Sequence, residues 1–448
     1  MRKPKRMMAG TNPDPRVEAA LNAARESVGI HPAESRHAFR AALVLIFSLA
    51  GVYAWCAVRV YQAHRLLASR DQVSLRRAIQ LRPRDADNYD LLGQYFMWDA
   101  LDPQAAALQF QQAVRLNPYA SSYWLHLAQS ENTLGDDGAQ EGAMRNAIAV
   151  DPTTPEIAWN AANFFLVQGK TDEALDQLAV VVRNDPKMAE AALDLSWRAL
   201  GDVDAIQRRL PPDPDVYLKF IKLLVARQQW AAADRVWSSM LDLNREFDAR
   251  SALFYVDELL AKRDTAGARN VWQQIVDRSS SFRLYITPDN LVVNASFEHD
   301  IVNAAFDWHY AALPGVAVML DSTQTHHGSE SLLITYSGST EDAGIWQYVP
   351  VTPGASYVAS AWVKSEELQS ANGPRLAIYD GYKNIEYGHS GETLGTTSWH
   401  RLETTFTANP DVTLILIRFS RQPADTRIQG RFWIDDVRLL PNVSTSSK

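Results

Sequence analysis

Four prolines recur at a nearly constant spacing in the first half of this chain, and this period constrains the fold more than any other feature. Pro83, Pro118, Pro152 and Pro186 follow one another at intervals of 35, 34 and 34 residues. Each closes an amphipathic stretch, as in AIQLRP, AVRLNP, AIAVDP and VVRNDP. A fixed period of this length predicts a stack of helical pairs, in which each pair buries its apolar face against the next.

The repeats resemble the tetratricopeptide repeat family, whose pattern is an aromatic residue, a Leu-Gly pair, a later Ala and Phe, and a closing Pro. The positions that carry the pattern in one unit are Tyr89, Leu92, Gly93, Ala106, Phe110, Ala113 and Pro118. One residue is inserted in the turn of that unit. The resemblance covers residues 70–280 in five or six units, and it weakens after Pro186, where Pro211-Pro212 cuts a second helix short. A plain helical bundle without a groove is the alternative.

In this family the first helix of each unit lines a concave surface that binds extended peptides or partner proteins. The positions that correspond to this groove are Leu125, Gln129, Asn132, Trp159, Asn163 and Leu166. The asparagines are the better candidates, because an exposed amide can hold a peptide backbone with a paired donor and acceptor. The resemblance therefore implies protein partners for the repeats. Ordinary polar surface is the alternative interpretation of these positions.

An uncharged apolar run precedes the repeats. Residues 41–58, AALVLIFSLAGVYAWCAV, carry no charge, and at ~1.5 Å per residue they reach about 27 Å as a helix, enough to cross a hydrocarbon core. We therefore expect a transmembrane helix after a polar N-terminal tail, residues 1–40. A buried core helix and a cleaved signal peptide are the alternatives.

The orientation of this helix is predicted from its flanking charges. The 20 residues before the run carry three arginines and the 20 after it carry five, which slightly opposes an inside N-terminus. The basic start at Arg2 and Lys3 and the short tail are nevertheless typical of a signal anchor. We expect a single-pass protein of the cell inner membrane with its C-terminal bulk periplasmic or extracytoplasmic.

The pattern of apolar residues along the sequence changes at Asp289. Helical periods give way to short alternating runs between turn signals, such as GIWQYVPVTPG, ASYVASAWVK and TLILIRFS, which predict an antiparallel β-sandwich. The residues from Asp289 onward include 10 basic and 18 acidic side chains, so this region holds the whole net charge of −8. The predicted fold class is a multi-domain α and β chain: a transmembrane helix, an α-solenoid, then a sandwich of the jelly-roll type.

Residues 289–442 resemble a carbohydrate-binding module of the galactose-binding, jelly-roll type. The residues that carry the resemblance are Asn294-Ala295-Ser296-Phe297-Glu298, Trp308, Gly328-Ser329, Ser331-Leu332, Gln347, Val349, Val351, Pro353-Gly354, Tyr357, Ser360, Trp362 and Trp433-Ile434-Asp435-Asp436-Val437. The resemblance implies a glycan or polysaccharide as a partner. The same scaffold also serves adhesion and protein contacts.

Strand alternation selects the aromatic side chains that could contact a sugar. If Val349 and Val351 point into the core, Trp346 points outward, and the same rule places Trp362 and Tyr379 outward. A flat aromatic ring suits the apolar face of a pyranose, and Arg418, unusual in the apolar strand LILIRFS, could bind its hydroxyls. The secondary candidates are Tyr382, Tyr387 and His389. Burial of these rings against a loop or against the repeats is the alternative.

In related modules a structural calcium often joins the first strand to the last through carboxylates. The resemblance places Glu298 and Asp436, with Asp435 as a variant, at the corresponding positions. Hard oxygen ligands and an acidic domain suit calcium. Ordinary surface carboxylates are the alternative.

Motifs for catalysis and for other cofactors are poor. GHSGE at residues 388–392 lacks the final glycine of a nucleophile elbow, and His326-His327 has no third ligand at metal spacing. Cys56, the single cysteine, excludes a disulfide framework and Cys-ligated zinc, and the acidic balance disfavours nucleic acid as a partner.

The sequence thus predicts a non-enzymatic, membrane-anchored scaffold that binds protein partners and a glycan, in a setting of cell-surface polysaccharide assembly or export. The alternatives are a pure protein-interaction scaffold and a carbohydrate-processing enzyme.

The predicted orientation can be tested with a reporter that is active only outside the cytoplasm, fused after Lys448. Because one span carries everything that follows it to the same side, we expect reporter activity in intact cells. The same reporter fused before residue 41 is the matched control and should be inactive. A C-terminal fusion without activity would contradict the predicted orientation.

Overall fold

The computed structural model describes residues 15–16, 18–20, 23, 32–424 and 426–442, without the side chains of residues 32–38. Most of the predicted polar tail, residues 1–40, lies outside the described residues. The chain forms two compact units that divide between Lys170 and Thr171. The second unit therefore contains both the later helices and the β-sandwich.

The first described long helix, α1, spans Pro32–Leu67. Within it, Phe39–Leu67 is long and apolar enough to cross a membrane, by length and composition, and its apolar stretch of 18 residues is not buried inside the structure. Large apolar side chains such as Phe47 and Tyr53 are exposed along it. A signal sequence near an N-terminus would meet the same criterion.

The helices of the first unit form antiparallel pairs. Their bounds are α2 Gln72–Leu81, α3 Ala86–Gln94, α4 Pro103–Leu116, α5 Ser121–Leu134, α6 Asp137–Val150 and α7 Pro155–Val167. The segment Tyr95–Asp99 continues α3 as a π-helical turn. This turn absorbs the one residue inserted in the unit, since a π-turn adds a residue without breaking the helix.

The helices of the second unit continue the series. Their bounds are α8 Thr171–Asn184, α9 Ala189–Leu200, α10 Val203–Gln207, α11 Pro214–Ala226, α12 Trp230–Asp242, α13 Ala249–Ala261, α14 Thr265–Arg278 and α15 Ser280–Arg283. The helix α10 is short, and Pro211-Pro212 follows it. Helical backbone is disfavoured at a residue that precedes a proline, so the helix cannot continue through this pair.

The repeated prolines set the ends of helices. α2, α4, α6 and α8 each end two residues before a proline of the period, at Leu81, Leu116, Val150 and Asn184. The next helix then begins after a short turn. The periodic prolines are therefore stop signals, as expected from the missing N–H and the restricted backbone before proline.

Within the first full repeat, α3 and α4 pack closely at Gly93. A Cβ built on Gly93 would lie 2.5 Å from a ring carbon of Phe110, and Phe110 is completely buried. Any side chain at position 93 would therefore push the ring into a filled core.

The C-terminal region is an antiparallel β-sandwich, which confirms the predicted fold class. Its strands are β1 Val316–Asp321, β2 Ser331–Ser339, β3 Ile345–Pro350, β4 Ser356–Gln369, β5 Arg375–Asp380, β6 Glu386–His389, β7 Gly395–Thr407, β8 Leu414–Ser420 and β9 Ile428–Pro441. One sheet has five strands in the order β1-β2-β9-β4-β7, and the other has four in the order β3-β8-β5-β6.

The inner faces of the two sheets share one apolar core. Leu376, Ile378 and Ile417 contribute from the four-stranded sheet, and Ala361 and Ile434 contribute from the five-stranded sheet. Alternate residues of the same strands must therefore lie on the outer faces.

The last helices pack directly on the sandwich within the second unit. The Asp257 carboxylate of α13 accepts the backbone N–H of Ala305 at 2.7 Å. The Thr265 hydroxyl of α14 lies 2.9 Å from the Tyr382 hydroxyl and 3.1 Å from that of Thr413. Burial is the main reason that the pKa of Asp257 is raised to about 6.

Apolar contacts reinforce these hydrogen bonds. Trp272 of α14 packs edge-on against Phe306, with ring centroids 6.1 Å apart, and both side chains are buried. The sandwich therefore covers the end of the helical series, where an exposed apolar face would otherwise meet solvent.

Gly93→Ala is expected to lower the free energy of unfolding by about 1–2 kcal/mol, because the new methyl group overpacks the core at Phe110. Gly142→Ala is the matched control, since a Cβ there meets nothing within 4 Å, and it should raise stability by roughly 0.5–1 kcal/mol through helix propensity. Thermal and urea unfolding of both variants measures the difference. Equal effects would contradict the close packing at Gly93.

The raised pKa of Asp257 predicts a pH dependence. The folded chain holds this proton more tightly than the unfolded chain, so its contribution to stability is lost as the pH rises from 3.8 to about 6. Relative to wild type, Asp257→Asn should gain roughly 1–2 kcal/mol between pH 4 and pH 7, after allowance for solvent screening.

Urea unfolding at several pH values measures this gain. Glu190→Gln, which alters an exposed carboxylate on α9, far along the chain from Asp257, is the control and should follow the wild-type pH profile. A parallel profile for Asp257→Asn would contradict a buried, tightly protonated Asp257.

Candidate functional site

The outer face of the four-stranded sheet carries two rows of side chains, which we call the four-strand face. The strand registers place Trp346, Arg418, Ala377 and His389 in one row and Tyr348, Leu416, Tyr379 and Glu386 in the next. Arg375 lies on the same face, two residues before Ala377. The face thus combines aromatic rings with charged groups.

The indole ring of Trp346 stacks on a histidine ring. The His309 ring stacks on the indole with centroids 3.9 Å apart and planes 4° from parallel. Residue 309 pairs with Trp346 through two backbone hydrogen bonds of 2.7 and 3.0 Å. Burial lowers the pKa of His309, so the imidazole is neutral near pH 7. Tyr348, two residues further along β3, also packs edge-on against the indole, with ring centroids 4.9 Å apart.

A hydrogen-bonded group of polar side chains occupies the other side of the face. The Glu386 carboxylate accepts from Arg375 at 2.9 Å and from Tyr379 at 2.8 Å, and it lies 2.5 Å from Nδ1 of His389. Burial disfavours the charged form of Glu386, but these donors hold its pKa below the ordinary value. Glu386 is therefore a fixed anion that orients its neighbours.

Arg418 projects from the otherwise apolar β8. Its nearest carboxylate is that of Asp342, with Nη2 and Oδ2 3.7 Å apart, and its side chain is 37% exposed. Burial raises the pKa of Asp342, against the charge of Arg418. The guanidinium therefore remains available at the surface.

Trp362 does not belong to this face, although the sequence analysis grouped it with Trp346. It lies on β4, in the five-stranded sheet, whose outer face points the opposite way. His326 stacks on its ring with centroids 3.9 Å apart and planes 13° from parallel. The loop between β1 and β2 thus covers Trp362.

The same loop covers the neighbouring outer positions of the five-stranded sheet. The Trp433 indole donates to Asp321 at 2.7 Å, and Lys364 donates to Gln324. Trp433 is almost completely buried. The β1–β2 loop therefore covers this part of the five-stranded sheet, while other outer side chains of that sheet, such as Arg401, remain exposed.

The three secondary candidates have different positions. His389 lies on the four-strand face, at the end of the Trp346 row. Tyr387 packs against the core and stacks on Phe406 with centroids 6.0 Å apart. Tyr382 is hydrogen-bonded to Thr265 of the helical region. Only His389 thus accompanies the predicted sugar contacts. Tyr387 and His389 lie on the strand Glu386–His389, whereas Tyr382 lies in the turn before it.

The predicted calcium ligands have separate protein partners. Glu298 accepts the backbone N–H and the hydroxyl of Ser329, at 2.9 and 2.6 Å. Asp435 accepts the backbone N–H groups of His326 and His327, both at 2.8 Å. Asp436 contacts Nε of Arg438 at 2.8 Å. In the described part of the chain, no three His, Cys, Asp or Glu side chains converge as a metal site.

Glu298 and Asp436 nevertheless line one surface cavity of about 590 Å³, together with Gly328. A Cβ on Gly328 would lie 2.0 Å from Oε1 of Glu298, and its φ of +71° also favours glycine. Asp435 does not line the cavity. The lining offers three carboxylates, those of Asp289, Glu298 and Asp436, and several other oxygen atoms, which is the chemistry that calcium prefers.

The predicted peptide-groove residues lie on α5 and α7. Asn132 and Asn163 are exposed, while Gln129 and Trp159 are half-buried. The Asn163 amide donates to the Trp159 carbonyl of its own helix at 2.8 Å. The prediction that Leu125 lines the groove is wrong. This residue is only 2% exposed, because its side chain lies on the core side of α5. Nothing in the structure tests peptide binding at the other positions.

Comparison with known proteins identifies a carbohydrate-binding class for the C-terminal region. The sequence model CBM_4_9, described as a carbohydrate binding domain, matches residues 289–426. This match covers less than a third of the chain and includes most of the four-strand face. No curated protein matches the sequence.

Several solved structures are similar to parts of the chain. A CBM4 module is 16% identical, with a TM-score of 0.27, over 34% of this chain and 99% of the module. The CBM22-1 xylan-binding domain of Paenibacillus barcinonensis Xyn10C is 20% identical, with a TM-score of 0.26, over 33% of this chain and 91% of that domain. MamA is 14% identical, with a TM-score of 0.25, over 39% of this chain and 86% of MamA.

Sequence reasoning missed several residues of the four-strand face. Arg375 shares the alternation of Tyr379 in RLAIYD, so the rule that selected Tyr379 also selects Arg375. Glu386 follows from its register with Tyr379, which only the folded sheet reveals. His309 joins Trp346 through an isolated bridge between distant segments, and no local pattern signals it.

Proposed function

We propose that this chain is a membrane-anchored scaffold that binds a glycan on the four-strand face and protein partners through its helical repeats. The observation that carries the proposal is the combination of Trp346, Tyr379 and Arg418 on one face, in the region similar to a carbohydrate binding domain. A setting in cell-surface polysaccharide assembly or export agrees with an N-terminal apolar helix joined to both domains.

The chemistry of the face suits a sugar. The apolar side of a pyranose packs against an aromatic ring, and Trp346 lies partly exposed on this face. Sugar hydroxyl groups can both donate and accept hydrogen bonds. Glu386 on β6 offers an acceptor and Arg418 on β8 offers donors, and these two strands flank β5. The fixed network around Glu386 presents these groups in a set geometry.

Two alternatives remain distinct from this proposal. A pure protein-interaction scaffold would use the four-strand face for a protein and bind no sugar. A carbohydrate-processing enzyme needs two facing carboxylates, one with a raised pKa. Glu386 has a lowered pKa and three close donors, which favours a binding role for it.

The full chain in detergent is expected to bind glycans on an array. Trp346→Ala should weaken that binding about tenfold, because an aromatic contact contributes roughly 0.5–1.5 kcal/mol. Trp362→Ala is the matched control: it removes another tryptophan stacked on a histidine at 3.9 Å, but from the outer face of the five-stranded sheet. We expect Trp362→Ala to keep the wild-type affinity.

Thermal unfolding of both variants separates binding from folding. Truncation of a packed aromatic residue lowers stability by several kcal/mol, so both variants should melt earlier than wild type. Loss of affinity in both variants, or in neither, would contradict a sugar site at Trp346. Absence of any glycan binding by the wild type would favour the protein-interaction alternative.

We also propose that calcium binds in the cavity lined by Glu298 and Asp436, as the family resemblance implies. When bound, calcium would link the start of the sandwich to its last strand. Ligand binding to the folded state alone raises stability by RT ln(1 + [L]/Kd). Wild type should therefore melt at a higher temperature in millimolar calcium than in chelator.

Glu298→Gln should remove this calcium-dependent shift, because the amide has no charge to offer the ion. Glu330→Gln, next to the same turn and outside the cavity lining, is the control and should keep the shift. Identical melting of wild type in calcium and in chelator would refute the calcium site.

A further inference from the structure

We propose that the glycan bound on the four-strand face carries carboxylate groups, as uronic acids do, and that Arg418 is the residue that selects them. The inference rests on the proposed function, because it names the chemical class of ligand for the same site. It depends on the charges around Arg418 and on the partners that its guanidinium lacks.

Arg418 has unfilled donors. A guanidinium carries five N–H groups, and the Arg418 side chain makes no hydrogen bond to any described residue. Its Nε is buried without a partner, and its closest carboxylate oxygen is 3.7 Å away, beyond hydrogen-bond distance. The donors that a ligand can reach are therefore those of the terminal nitrogens, at the exposed end of a side chain that is 37% exposed.

The nearby carboxylate is shared between two cations. Asp342 lies 3.7 Å from Nη2 of Arg418 on one side and 3.9 Å from Nε of Arg421 on the other. Arg421 is completely buried, and its terminal nitrogens donate to the carbonyls of residues 341, 424 and 426. One carboxylate thus faces two guanidinium groups, which leaves one positive charge in excess among the described residues.

The other charges on the face are already paired. Arg375 is matched by Glu386 at 2.9 Å, and Glu386 is also held by Tyr379 and His389. Glu386 is therefore not free to repel an anion at Arg418. The sandwich as a whole is acidic, with 18 acidic and 10 basic residues from Asp289 onward, so the positive charge at Arg418 stands out locally.

The position of Arg418 suits a substituent on a stacked sugar. Arg418 lies directly opposite Trp346 on the neighbouring strand, about 5 Å away in such a pair. A pyranose packed against Trp346 would hold its ring substituents at the level of the guanidinium. A carboxylate can accept two parallel N–H donors from arginine and also neutralise its charge, whereas a hydroxyl cannot neutralise it.

The test compares acidic polysaccharides with the same polymers after chemical reduction of their carboxyl groups. The probes are polygalacturonate and alginate in both forms, added to the full chain in detergent. Wild type should bind at least one acidic form ten times more tightly, or better, than its reduced counterpart. Arg418→Gln should weaken binding of the acidic form more than binding of the reduced form, so that the two affinities become equal, and Arg418→Lys should keep part of the preference.

Matched controls separate the inference from general charge effects. Arg401→Gln removes an exposed arginine from the five-stranded sheet, and it should keep the wild-type preference. Equal binding of acidic and reduced polymers by wild type would overturn the inference but leave the proposed function intact. A preference that survives Arg418→Gln would overturn the role of Arg418. Failure of wild type to bind any glycan, neutral or acidic, would overturn the proposed function itself.

Discussion

Strand alternation in a two-layer sandwich governs this site. Each strand sends alternate side chains to opposite sides, and the interior between the sheets can hold only one of the two sets. The other set must be covered by a loop or meet solvent. On the five-stranded sheet, the segment 321–331 covers Trp362 and Trp433. On the four-stranded sheet Trp346, Tyr379 and Arg418 remain partly exposed. The candidate site is therefore built from the outer set of side chains of the four-stranded sheet.

The local patterns of the sequence predicted as much as local geometry can determine. The proline period located the helix ends, alternation placed Trp346 and Tyr379 on an outer face, and Arg418 was selected as a charge in an apolar strand. Alternation could not reveal which sheet a strand joins, because strand order depends on pairing between distant segments. This is why Trp362 was grouped with Trp346 although β4 and β3 belong to different sheets. The contact between His309 and Trp346 has the same origin, since it joins a loop to an edge strand.

The acidic composition of the sandwich does not make its open face acidic. Several carboxylates are used to hold loops: Asp435 accepts two backbone N–H groups from residues 326 and 327, and Asp380 accepts two from residues 382 and 383. A carboxylate that accepts backbone N–H groups has its charge offset by oriented dipoles. The acidic residues therefore hold the loops around the sheets. The charge on the outer face of the four-stranded sheet consequently differs from the net charge of the domain. Net charge alone is a poor guide to the ligand of such a domain.

The contact between α14 and the turn after β5 has a consequence for how a long polymer would be held. Thr265 is hydrogen-bonded to both Tyr382 and Thr413, and these residues lie next to the strands β5 and β8 that bear Tyr379 and Arg418. The sheet is thus attached to the last helices by side-chain contacts and cannot swing freely on a linker. A freely swinging domain loses orientational entropy when it captures a ligand. Here that entropy is already lost when the chain folds, so capture of a polymer requires no further ordering of the sheet.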